Sequence, residues 1–281
     1  MASKPGSKAT IFGFPGGMAR EPLPEVTLPL PTTTASPMRA AQHGAMLDLA
    51  GKPKVWFTIG RGRIGKTTLL RWAAEMGEAQ EGRVICAAAD PVNRSLRVYL
   101  EGVAEPPTND AADVAQWLQE LLLFALQEKM SALVDLGGGD TSLHRLLGTM
   151  PDLASVMEEE GVSPVAVHVI GSDPHDLVPL ATTEAAGFKP AATMLVLNQM
   201  TGRPDRFSDV IRHSAFQAAL GRGAIQVWMP LLTPDAARAV DARHLHFTQV
   251  GNTLGPFIGA SVRAWLKAMS DEFSHVKSWL P

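Results

Sequence analysis

The sequence predicts an α/β protein whose mostly parallel sheet carries helices on both faces. Three observations predict it: short apolar runs alternate with helix-spaced stretches, the runs lack the polar alternation of a half-solvated sheet, and the first run opens straight into a glycine-rich loop. The runs cover 55–59, 84–89, 132–136, 165–170, 193–197 and 225–229, each short and apolar as a buried strand should be. Helix spacing covers 66–76, 113–129, 176–186, 207–220 and 257–280. The last of these places large apolar residues three and four apart, from Phe257 through Trp265 and Met269 to Trp279 and Leu280, and is strongly amphipathic.

Residues 1–50 are rich in Pro, Ser, Thr, Ala and Gly and read as a flexible or surface-wrapped extension, leaving 51–281 as one domain. A chain of 281 residues, 46% hydrophobic and 19% charged, can bury one substantial core. A net charge of −3 argues against coating nucleic acid with the whole surface, so any such binding must be local. The single cysteine, Cys86, lies in an apolar run and reads as a small buried hydrophobe; alone it excludes a disulfide framework and an iron–sulfur or zinc site. No apolar run reaches the roughly 18 residues that cross a bilayer, and no signal pattern opens the chain, so the expected location is cytoplasmic.

The chemistry concentrates in Gly60-Arg61-Gly62-Arg63-Ile64-Gly65-Lys66-Thr67-Thr68. This is a complete phosphate-binding loop: its glycines let successive backbone N–H groups turn inward around an anion, Lys66 supplies a point charge for the β- and γ-phosphates, and Thr67 offers a hydroxyl to Mg²⁺. In a parallel sheet, ligands sit beyond the carboxyl ends of the strands, so the acids there come next. Asp135, followed by Gly137, Gly138 and Gly139, is the candidate to hold Mg²⁺, and three glycines suit a loop that moves with a γ-phosphate. Asp90 is the candidate to place an attacking water or to assist with Mg²⁺. The plainer reading of both acids is a turn at a strand end.

These segments resemble the ParA/MinD ATPases. The loop is similar to their deviant phosphate-loop pattern G-K-G-G-x-G-K-T-T; Ala88-Ala89-Asp90-Pro91 is similar to their D-x-D-P switch I; Val134-Asp135-Leu136-Gly137-Gly138 occupies their switch II place. Leu195-Val196-Leu197-Asn198 resembles the strand whose asparagine faces adenine, and Val227-Trp228-Met229-Pro230 the next strand, which closes the base pocket. The resemblance runs from Lys54 onward and implies ATP and Mg²⁺ as cofactors and slow hydrolysis coupled to a homodimer. Arg61 stands where the family has its signature lysine, Arg63 where it has glycine, and Ala88 where switch I has its first aspartate. Arginine at the lysine position can still make a bidentate phosphate contact, but the two residues are not interchangeable. Within the family the chain looks most like the plasmid StbB/TraL-type ATPases.

The implied function is a nucleotide switch in plasmid or DNA partition or conjugal transfer, working with a protein partner. Lys66, Arg61 and Asp90 are its catalytic candidates, the loop with Asn198 and Pro230 holds nucleotide, and Thr67, Asp135 and Asp90 hold metal. Arg203, Arg206, Arg212 and Arg222 form a short stripe that could take DNA phosphates, with Asp205 and Asp209 as counter-charges. The terminal helix balances Arg263, Lys267 and Lys277 against Asp271 and Glu272, which favours packing on the sheet over an anionic membrane; Trp279 and Leu280 are left for a partner. Two alternatives remain open. One is a nucleotide-binding scaffold with little hydrolysis, of the kind that assists cellulose synthesis; the other is a small-molecule kinase or ligase drawing a base from His168, Asp173 or His175.

Overall fold

The computed structural model describes residues 47–79, 84–90, 95–139 and 141–281. Most of the expected extension, residues 1–46, lies outside them. Six strands form one sheet: β1 (Lys54–Ile59), β2 (Val84–Ala88), β3 (Ser131–Asp135), β4 (Ser163–Ile170), β5 (Ala192–Asn198) and β6 (Ile225–Met229), in the order β2-β3-β1-β4-β5-β6. Every pairing is parallel. Around them run α1 (Lys66–Ala79), α2 (Ala111–Glu128), α3 (Ser142–Thr149), α4 (Leu153–Glu159), α5 (Val178–Ala185), α6 (Ser208–Arg212), α7 (Ser214–Gly221), α8 (Pro234–Asp241), α9 (Val250–Thr253) and α10 (Pro256–Glu272). β1 sits in the middle of the sheet, so the loop that follows it has strand ends on both sides.

Successive side chains on a strand point to opposite faces, and β1 shows how this builds two cores. Trp56 joins Leu69, Leu70, Trp72, Val262, Trp265 and Met269, contributed by α1 and α10. Val55, Phe57 and Ile59 join the apolar faces of α2 and α3 on the other side. A third cluster sets Phe207, Val210 and Phe216 on Ile170, Leu195 and Leu197. The expected helix 257–280 does pack on the sheet, but as α10 followed by a tighter turn at Ser274–Trp279. Trp279 and Leu280 are only 1% and 9% exposed, so they are not free for a partner, contrary to expectation. The Trp279 indole donates to Leu47 O (2.6 Å), and Trp56 Nε1 donates to Trp279 O (2.7 Å).

The expected helix 207–220 is two, α6 and α7. His213 has extended backbone between them, and its Nδ1 accepts from Ala215 N, capping α7 with a residue that periodicity alone reads as helical. The expected start at 176 is a tight turn, Pro174–Leu177, ahead of α5. α3, α4 and α8 are too short for the period test that found the others. No helix among the described residues is long and apolar enough to cross a membrane.

α1 is tied to the C-terminal third through two buried charges. Arg71 pairs with Asp241 (2.9 Å) and lies 3.7 Å over the Tyr99 ring. The Glu75 carboxylate accepts from Phe247 N (2.8 Å) and Thr248 N (3.0 Å). Burial raises the Glu75 carboxyl despite these bonds and the neighbouring His246.

Candidate functional site

β1 ends at Ile59 and α1 begins at Lys66, with the glycine loop between them. A Cβ on Gly60 would stand 2.6 Å from Val169 O, so the chain turns here only with glycine. Gly65 has φ +97, a left-handed conformation, and a Cβ there would overlap the Asn198 amide nitrogen. Gly62 carries neither demand: a Cβ on it meets nothing within 4 Å. Arg63 is left-handed too, at φ 62, the conformation glycine takes most readily. The domain is a parallel α/β sheet in which this glycine loop joins the middle strand, β1, to α1.

Within the loop Lys66 Nζ donates to Gly60 O (3.0 Å) and Arg61 O (3.1 Å), so its charge is held over the loop's own turn. Thr67 Oγ1 lies 3.0 Å from Ser95 Oγ and donates to Asp135 Oδ2 at 3.4 Å. Asp135 Oδ1 is buried with no hydrogen-bond partner among the described residues. Its carboxyl is raised to about 6, chiefly by burial; Asp90 raises it further, while Lys66 and the Thr67 bond lower it. An orphaned carboxylate oxygen beside two hydroxyls is a donor set that suits a hard cation, and Thr67, Asp135 and Ser95 fit Mg²⁺. No group of three or more His, Cys, Asp or Glu placed to hold a metal ion occurs among the described residues. Mg²⁺ is commonly held by one or two carboxylates with substrate phosphates. Ser95 went unnoticed in the sequence because an isolated serine carries no signal until β2 brings it beside Thr67.

Asp90, at the end of β2, packs against the glycine turn: a Cβ on Gly137 would approach its Cγ to 2.8 Å. Gly138 lies directly on the phosphate loop, where a Cβ would overlap Gly62 N. Asp90, Asp135, Thr67 and Lys66 therefore belong to one site.

Two site candidates are placed otherwise than expected. Arg61 NH1 pairs within its own chain, 3.1 Å from Asp176 and 3.9 Å from Asp173, so it is held to carboxylates here and not presented to phosphates. Asn198 is 1% exposed; its Nδ2 donates to Ile64 O (2.7 Å) and its Oδ1 accepts from Met200 N (3.0 Å), which braces the loop from beneath. Pro230 follows β6 next to it and accepts from Trp265 Nε1 (2.9 Å). The kinase-type base set does not assemble. His168 is buried inside β4 with neither ring nitrogen bonded among the described residues, and burial, with Arg222 nearby, lowers it to about 3. Asp173 and His175 bond each other on the surface (2.9 Å). In the basic stripe, Arg222 pairs with Glu184, while Arg203, Arg206 and Arg212 are exposed.

No protein-family model matches the chain, and no curated protein matches it. Among solved structures it is similar to the signal recognition particle receptor FtsY of Elizabethkingia anophelis, at 17% identity over 64% of this chain and 59% of that one, TM-score 0.44. It is likewise similar to the cell division protein FtsY of Thermotoga maritima, at 19% identity over 61% of each chain, TM-score 0.44. The Elizabethkingia receptor in complex with GDP matches at 17% identity over 65% of this chain and 58% of that one, TM-score 0.43. The chain thus spans about three fifths of the length of these structures.

Proposed function

We propose that this protein binds a nucleoside triphosphate with Mg²⁺ on the Gly60 to Thr67 loop and acts as a slow nucleotide switch. The observation that carries the reading is the orphaned Asp135 Oδ1 beside the Thr67 hydroxyl, at the start of a helix whose first residue is Lys66. Lys66 and the loop amides would hold the phosphates, Thr67 and Asp135 would hold the ion, and Asp90 would orient a water. Mg²⁺, when bound, neutralises charge gathering on the β- and γ-oxygens. ATP is the nucleotide the sequence resemblance implies. Partition or conjugal transfer, a nucleotide-dependent homodimer and a protein partner are the finer parts of the proposal, with Arg203, Arg206 and Arg212 as the stripe for DNA phosphates.

One observation favours a second reading, a nucleotide-binding scaffold with little hydrolysis. Arg61 is bound to Asp176 in its own chain, and an arginine so paired is not available to a partner's phosphates. Calorimetry and light scattering, on wild type and Lys66→Ala with Mg²⁺-ATP and Mg²⁺-GTP, test both. Loss of the lysine's charge-assisted contacts should weaken triphosphate binding roughly 10- to 100-fold. A mass that doubles with ATP in the wild type supports the switch, and a constant mass with tight binding supports the scaffold. Absence of triphosphate binding in the wild type ends both.

A further inference from the structure

Beside the phosphate loop, on the α3 and α5 side of the sheet, lies a chamber of about 420 Å³. Ile59 and Leu136 line it from the strand ends, Leu143 and His144 from α3, and Val178 and Thr182 from α5. Its walls are mainly apolar, and Thr141, His144, Thr182 and Thr183 are the lining residues with polar side chains. Gly137, Gly138 and Gly139 line it too, as does Gly60, the first residue of the phosphate loop. Gly138 rests on Gly62 of the phosphate loop and Gly137 on Asp90, so the glycine turn touches both the pocket and the phosphate-loop residues.

We infer that this chamber is a second ligand site, for an apolar small molecule with a single polar group, and that its occupant opposes triphosphate binding through the Gly137 to Gly139 turn. The inference rests on the nucleotide reading above. The volume falls within the ~300–1,000 Å³ of small-molecule sites, and the lining, apolar with a few polar groups, is of the kind such sites use. Two turns of helix, about 10 Å across and 11 Å long, exceed it, which favours a compact molecule over a docked helix.

The coupling follows from steric contact. Gly138 is already against Gly62 N of the loop that would hold the phosphates. A phosphate arriving there displaces the glycine turn, and the chamber is the adjoining space that can receive it. A chamber already filled blocks that movement. Linkage makes the effect reciprocal, so triphosphate must weaken the occupant by the same factor.

The probe is N-phenyl-1-naphthylamine, a neutral amine that fluoresces in apolar surroundings, titrated into the full chain. Saturable binding is expected, abolished in Thr182→Trp, which fills the chamber from the exposed face of α5, and in Val178→Lys, which places a charge at its rim. Both variants should keep the wild-type melting temperature; Val178→Lys, which leaves the chamber empty, should keep the wild-type triphosphate affinity, while Thr182→Trp, which fills it, should weaken triphosphate binding as an occupant does. A non-hydrolysable triphosphate should weaken probe binding about fivefold or more, and the diphosphate should not. Lys66→Ala should bind probe normally and lose the triphosphate effect. Probe binding unchanged in both chamber variants overturns the site. Probe binding indifferent to a triphosphate that does bind the wild type overturns the coupling. If no triphosphate binds at all, the nucleotide reading fails, while the two chamber variants still decide the site.

Discussion

Asp135 is a buried carboxyl whose titration bears on stability and, on the proposed function, on metal and nucleotide affinity as well. Its carboxyl is raised from 3.8 to about 6 by burial first, so the folded state holds its proton more tightly than the unfolded chain. That stabilisation is complete below about pH 4 and lost as pH rises through 6; above 6 the ionised group is a burden of about 3 kcal/mol in the nucleotide-free protein. Asp135→Asn should therefore raise the melting temperature at pH 7.5 by roughly 5–10 °C. The gain should vanish near pH 4, while Mg²⁺-dependent nucleotide binding is lost. A thermal scan across pH reads the first effect and calorimetry the second; a gain that persists at pH 4 would contradict the titration argument. At this scale the sequence singled out Lys66 and Thr67 by the fixed spacing of the glycine loop after a strand, and Asp135 by its place at the end of an apolar run ahead of three glycines; the fold brings Thr67 and Asp135 together. Ser95, the bracing role of Asn198 and the Arg61–Asp176 pair were not legible, since each depends on which strand ends meet.

Among the elements, the parallel strands were readable because burial on both faces leaves an unbroken apolar run, and a run so short cannot be mistaken for a long helix. Helices of seven or eight residues, such as α4 and α3, offer scarcely two turns of pattern. The terminal stretch was legible as amphipathic but not as locked, because the lock is a pair of indole bonds between distant segments. Trp279→Ala removes a side chain 1% exposed and its bond to Leu47 O. A loss of about 3–5 kcal/mol is expected, and with it a fall in melting temperature near 10 °C. A change of only 1–2 °C would show that the turn at Ser274–Trp279 is dispensable to the α10 face.

For the whole molecule, the single thiol is a built-in reporter. Cys86 is 1% exposed in β2 and its thiol is pushed up to about 12 by burial, so it reacts only when the domain opens. Ellman's reagent should leave the native protein untouched and label it fully in denaturant. Triphosphate with Mg²⁺ at a hundredfold excess over its dissociation constant should slow native-state labelling about 100-fold, if opening limits access. Unchanged labelling would mean that β2 opens without the site. The strand order carries a different consequence. The Trp56 indole finds its acceptor at Trp279, 223 residues further on. A growing chain thus presents the middle strand and its glycine loop long before that acceptor exists, and the sheet's centre stays unsealed until Trp279 has been made and has folded back onto it.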